Sequence, residues 1–259
     1  MPRRVKIFGE RNTSTNALRQ LIESNSASRV LPSMARDLRN PSGLLLHSMH
    51  RFGWGTHFVE RLADRNFAGQ PPAFAWKHAA TYFDDLSSLD GALVVFCVRH
   101  PASWLRALYR SPYHVTAARE AAPDLTAFLC TEVPTFRREN LGGRPMHPAA
   151  LFNAKLTSYG DFMTQLDRAG IAHQTILFED FAVDQRAVFS RLAPFLHSPQ
   201  ENPTLLEKST KGGDEDAAYY ADFYGKARWR DDIPDPAWEL IDREIDWDLA
   251  ARFGYRRDV

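Results

Sequence analysis

Cysteine is almost absent: the 259-residue chain has two, Cys97 and Cys130. So few thiols exclude a disulfide scaffold, and Cys97, inside an apolar run, reads as a reduced core residue. No apolar run approaches the roughly 18 residues that a membrane span needs. No apolar signal region follows Met1-Pro-Arg-Arg4, so the expectation is a cytoplasmic enzyme with no membrane span. An excess of one charge is missing too, because 32 Lys and Arg offset 32 Asp and Glu. That balance argues against a nucleic-acid partner, whose phosphates demand a basic surplus. Neither repeats nor low-complexity segments occur. His47, His50 and His57 gather near Phe52 and Trp54, but at no zinc spacing, so no metal is expected.

The balanced charge is unevenly spread. The amino-terminal part leans basic (Arg3, Arg4, Lys6, Arg11, Arg19), which suits an anionic ligand. The carboxyl-terminal part leans acidic (Asp231, Asp232, Asp235) and reads as a solvated face. At 29.5 kDa the chain is large enough for one sizeable core, and residues 1–259 read as a single domain.

What is present begins with Val5-Lys-Ile-Phe-Gly9, a short apolar strand, followed by a hydroxyl-rich turn and a helical segment from Thr15 to Ser24. The first turn of a helix offers unpaired N–H groups and the positive end of a dipole, so this turn can cradle a phosphate. It departs from the ATP-binding pattern GxxxxGK[ST]: Ser14, Thr15 and Asn16 stand where Gly, Lys and a hydroxyl residue are required. ATP hydrolysis is therefore not its chemistry. Ala92-Leu-Val-Val-Phe-Cys-Val98 is apolar throughout, as a strand buried on both faces must be. It ends at Arg99-His-Pro101, where Pro101 suits the first turn of a new helix. An arginine at the carboxyl end of such a strand projects into the crevice where parallel sheets bind ligands, and its planar fork fits a phosphate. Between these motifs, Pro72-Ala-Phe-Ala-Trp-Lys-His-Ala-Ala80 reads as another strand end. The expected fold is a three-layer α/β domain, with a central parallel sheet of about five strands flanked by helices.

The run Arg11-Asn-Thr-Ser-Thr-Asn-Ala-Leu18 resembles the 5′-phosphosulfate loop of sulfotransferases that use 3′-phosphoadenosine-5′-phosphosulfate, and Arg99-x-Pro101 resembles their 3′-phosphate segment. The resemblance implies the P-loop-like sulfotransferase fold. It places Arg11, Asn12, Thr13, Ser14, Thr15 and Asn16 on the 5′-phosphosulfate and Arg99 on the 3′-phosphate. Here Ser14 replaces the family's Gly, and Asn12 falls where many members carry Lys, leaving Arg11 as a candidate cation. The family's second 3′-phosphate residue, a Ser, is Ala107 in this chain, with Ser103 and Ser111 nearby. Lys77 and His78 resemble the family's Lys/His segment, which implies His78 as base and Lys77 beside the leaving oxygen. Lys211-Gly212 matches a basic loop over the 3′-phosphate. His173–Phe181 resembles a late central strand with an acidic turn, in which Asp180 caps the next helix or pairs with a base. Leu151–Ala169 reads as a helix, with Asn153 and Lys155 facing cleft or solvent.

The implied reaction is sulfuryl transfer to a hydroxyl or amine of a small-molecule or carbohydrate acceptor, without a metal. Insertions 25–74 and 120–148 would form the acceptor side. Two rivals stay open: a non-catalytic member that binds an adenosine phosphate, and a phosphotransferase or nucleotide kinase of related fold.

Overall fold

The computed structural model describes residues 4–34, 37, 56–208 and 215–257. Its sheet has four parallel strands: β1 (Arg4–Gly9), β2 (Arg29–Val30), β3 (Ala92–Val98) and β4 (His173–Leu177), in the order β2-β1-β3-β4. The helices are α1 (Thr15–Asn25), α2 (Thr56–Phe67), α3 (Pro101–Arg110), α4 (Thr116–Ala121), α5 (Leu125–Leu129) and α6 (Pro148–Arg168). They continue with α7 (Phe178–Val183), α8 (Gln185–Leu192), α9 (Ala217–Gly225), α10 (Asp235–Glu244) and α11 (Trp247–Ala251).

All seven residues of β3 are buried, as its unbroken apolar run requires. Alternation along β1 sends Val5 and Ile7 into a core shared with Leu18, Leu21 and Ile22 of α1 and Phe189 of α8. Phe8, on the other face, joins Phe96, Trp104, Tyr159 and Phe162. Burying each such side chain contributes roughly 1.5–3 kcal/mol. Layers of helices thus clamp the sheet from both sides. Cys97 lies in this core, where burial pushes its thiol up to about 12, so it stays protonated and inert.

Two expectations need correcting. The sheet has four strands rather than about five among the described residues, because Pro72–Ala80 is irregular. Pro71 and Pro72 remove two amides that a ladder would use. The segment instead hangs by isolated bonds, Gly9 N–H to Lys77 O at 2.9 Å and Lys77 N–H to Ser33 O at 3.2 Å. The second correction concerns β4, which is an edge strand, not a central one, and is mostly half-buried. Asp180 pairs with Arg191 at 3.1 Å, while Asp184 caps α8 by accepting from the Ala187 amide at 2.9 Å.

Candidate functional site

At the end of β1 the chain turns beneath its neighbour strand. Gly9 pairs in register with Cys97, and a Cβ there would lie 2.6 Å from the Cys97 carbonyl oxygen and 2.8 Å from Thr13 Oγ1. No side chain fits. Thr13 Oγ1 donates to Glu10 O at 2.6 Å, closing the turn, and Asn12 (φ 64°) and Ser14 (φ 61°) adopt the left-handed conformation. Ser14 precedes α1 without capping it through its side chain. The first backbone bond is Leu18 N–H to Ser14 O at 2.9 Å, so the amides of Thr15, Asn16 and Ala17 have no carbonyl of their own helix to meet.

Lys77 and His78 both reach this turn. Lys77 Nζ donates to Asn16 Oδ1 at the start of α1, and His78 Nδ1 lies 2.5 Å from the Gly9 carbonyl oxygen. Adjacent residues on a strand would diverge; the irregular backbone lets both side chains converge. A carbonyl only accepts, so Nδ1 carries the ring proton and Nε2 the lone pair. Burial, then the charges of Lys77 and Arg11, hold His78 well below the ordinary imidazole range. The ring is neutral at pH 7 and in the state of a general base.

Behind the turn lies a closed charge cluster. Arg11 meets Glu139 Oε1 at 3.3 Å and Glu10 Oε2 at 3.8 Å, with its guanidinium 4.7 Å from the Trp76 ring. Lys155 Nζ meets Glu10 at 3.3 Å and Glu139 at 3.4 Å, and also donates to His78 O. Lys155 is thus fully buried inside the protein, and Arg11 is engaged with carboxylates. Burial raises the Glu10 carboxyl, with Lys155 and Arg11 opposing.

In front of the turn opens a cleft of about 430 Å³, lined by Asn12, Ser14, Ala17, Arg99, Arg106, Arg110 and the rings of Tyr219, Tyr220, Phe223 and Tyr224 on α9. Arg99 is 3% exposed. Its Nε donates to Ser103 Oγ (2.9 Å), Nη1 to Asn12 O (2.8 Å) and Nη2 to Tyr224 Oη (2.8 Å), and its guanidinium lies 4.0 Å from the Phe178 ring. A guanidinium has five N–H groups, so two remain. Ser103 thereby orients Arg99 from full burial, while Ser111 lines the cleft beside Ala107. Thr13, Thr15 and Asn16 sit in the turn and first helical turn but do not line the cleft. Lys211 and Gly212 lie outside the described residues; Lys208 just before them lines the cleft. Among the described residues no group of three or more His, Cys, Asp or Glu is placed to hold a metal. No described helix is long and apolar enough to cross a membrane.

No protein-family model and no curated protein matches the chain. Similar solved structures include the sulfotransferase domain from the Synechococcus PCC 7002 olefin synthase, 14% identical over 94% of each chain with a TM-score of 0.47. Another, from the curacin biosynthetic pathway, is 13% identical over 99% of each chain, also with a TM-score of 0.47. Both are sulfotransferase domains. At such identity, the chemistry of this site has to come from its own residues.

Several of those residues escaped sequence reasoning. Arg106 and Arg110 stand one helical turn apart, a spacing that was visible. So was the aromatic pattern Tyr219-Tyr220-x-x-Phe223-Tyr224. The meeting of Glu10 with Glu139 and Lys155 had no local signal. Asp232, read as part of a solvated face, is paired with Arg106 and Arg110.

Proposed function

We propose that the protein is a sulfotransferase that takes 3′-phosphoadenosine-5′-phosphosulfate as donor and passes its sulfuryl group to a hydroxyl or amine of a small-molecule or carbohydrate acceptor. The observation that carries this reading is convergence at the Gly9–Asn16 turn. There the uncapped start of α1, Lys77 and a neutral His78 meet beside a cleft lined by arginines and aromatic rings. Helix amides suit the 5′-phosphosulfate, and the rings of α9 offer the adenine a stacking surface. Arg99, with its two remaining N–H groups, faces the second phosphate, joined by Lys211 and Gly212.

In the reaction, the acceptor oxygen or nitrogen attacks sulfur in line as the bond from sulfur to the 5′-phosphate oxygen breaks. His78 Nε2 takes the acceptor proton, and 3′-phosphoadenosine-5′-phosphate departs carrying the bonding electron pair. Lys77 stands ready to steady the charge that grows on the departing oxygen. Positioning and charge stabilisation supply most of the acceleration, as in phosphoryl transfer. Arg11, engaged with Glu10 and Glu139, acts as a positioning residue for the turn.

Calorimetric titration with 3′-phosphoadenosine-5′-phosphate, beside ATP with magnesium, tests the reading. Micromolar binding of the bisphosphate, weakened in Arg99→Ala, supports it. Absence of binding, or a preference for ATP with magnesium, would overturn it in favour of a degenerate site or a kinase.

A further inference from the structure

Arg106 and Arg110 flank Ala107 on α3 and reach the same atom, Asp232 Oδ2, Arg106 through Nη2 and Arg110 through Nη1 at 3.5 Å. Their settings differ. The Arg106 side chain is 5% exposed, lies 5.2 Å from the Phe223 ring, and has an Nε with no hydrogen-bond partner. Arg110 is largely exposed and Asp232 half-exposed. Both arginines line the cleft, and Asp232 does not. A buried guanidinium N–H without an acceptor is costly, so Arg106 holds unused binding capacity beside the proposed nucleotide site.

The carboxylate answers this pair incompletely. It brings one negative charge, and both arginines share one of its oxygens. A phosphomonoester brings nearly two charges and three acceptor oxygens, enough to engage both guanidinium groups. Asp232 ends the turn Arg228–Asp232, and its half-exposed side chain can move into water while the buried Ile233 anchors the backbone behind it.

We propose that Asp232 is a displaceable internal anion: it holds the Arg106–Arg110 pair until the dianionic phosphomonoester of a nucleotide takes its place, so the pair selects nucleotides that carry a second phosphate. The inference rests on the donor reading and concerns the 3′-phosphate of that donor. A nucleotide without this group leaves Asp232 where it is and gains nothing from the two arginines. Selectivity then comes from exchanging one anion for a better one, at a position where Ala107 offers no hydroxyl.

The test titrates wild-type protein, Asp232→Asn, Arg110→Gln and Arg106→Gln with 3′-phosphoadenosine-5′-phosphate and with adenosine 5′-phosphate, and records thermal unfolding of each. Removing the competing carboxylate should tighten bisphosphate binding about tenfold, the scale of one charge-assisted bond, with the monophosphate unchanged. The same variant should unfold at a lower temperature, because Arg106 loses its counter-ion. A purely structural Asp232 would lower stability and affinity together. Arg110→Gln, at an exposed position, should lose most of the preference for bisphosphate over monophosphate; Arg106→Gln should do so more completely, if it folds. Unchanged or weaker bisphosphate binding in Asp232→Asn, or a full preference in Arg110→Gln, overturns the proposal and leaves the donor reading standing. Failure of both nucleotides to bind wild type and Asp232→Asn overturns both.

Discussion

Arg11 and Lys155 behind the Gly9–Asn16 turn carry the same charge as Arg106 and Arg110 in the cleft wall, but their surroundings differ. The first two meet Glu10 and Glu139, which are themselves almost fully buried, and all four groups are shut away from water. The second two share a half-exposed carboxylate beside an open cleft. A cation closed in by buried carboxylates fixes a geometry; one held by a half-exposed carboxylate beside a cleft keeps a capacity to bind. Sequence shows the charge of each. Only the fold shows which is still available to a ligand.

The contrast can be broken most forcefully from the inner side. Lys155→Met leaves Glu10 and Glu139 with Arg11 as their one remaining cation of the cluster and should cost about 3–5 kcal/mol, the scale for breaking a buried pair from one side. Denaturant unfolding measures it, and a loss below about 1 kcal/mol would mean that the cluster is no firmer than a surface pair. Next in size is His78→Gln. Turnover should fall about a hundredfold or more, the contribution of a positioned base, while bisphosphate affinity stays near that of wild type. Sulfuryl transfer from labelled donor reads the first and calorimetry the second; undiminished turnover removes His78 from the mechanism. Because His78 is held well below its usual range, the wild-type rate should show no inflection between pH 6 and 7.

A smaller effect separates the cleft wall from the core beneath it. His100 packs against Trp229 at 4.7 Å, and burial, followed by the charges of Arg230 and Arg99, lowers it from 6.5 to about 4. The unfolded chain therefore takes a proton that the folded chain refuses between these values. The contribution to stability is complete above pH 6.5 and is lost as pH falls towards 4. His100→Phe should flatten that part of the stability curve, and an unaltered acid profile would assign the acid sensitivity elsewhere. The mildest change is Ser14→Gly. Ser14 holds φ 61°, where a side chain is strained and glycine is not. The variant should gain about 1 kcal/mol in denaturant unfolding; a loss would show that the serine side chain makes a contact worth more than the strain.

Much of the scaffold was legible because its signals are local. The apolar run of β3, Pro101 at the start of α3 and the β1–turn–α1 sequence each declare themselves within a dozen residues. Lys77 and His78 were legible as a pair, but not in their geometry. Two prolines turned an expected strand into an irregular segment, and that irregularity brings both side chains to one turn. The inner cluster joins residues 10, 11, 139 and 155, which no period connects. Arg11 looked available because Glu139, the carboxylate it meets at 3.3 Å, lies far away along the chain. Asp232 looked solvated for the same reason, since its arginines belong to a helix more than a hundred residues earlier.

Lys6 shows another consequence of such long-range ties. Its ammonium, fully buried and lowered by that burial to about 7, donates to the carbonyls of Pro32 at 3.0 Å, Ala73 at 3.3 Å and Ala75 at 2.5 Å. One amine therefore ties the chain just after β2 to the irregular segment that carries Lys77 and His78. Between these two ties runs α2, which Arg138 holds through Glu60 and Asp64. The protein has in effect a buried pin here, one that couples the first strand to the segment whose two residues meet its turn.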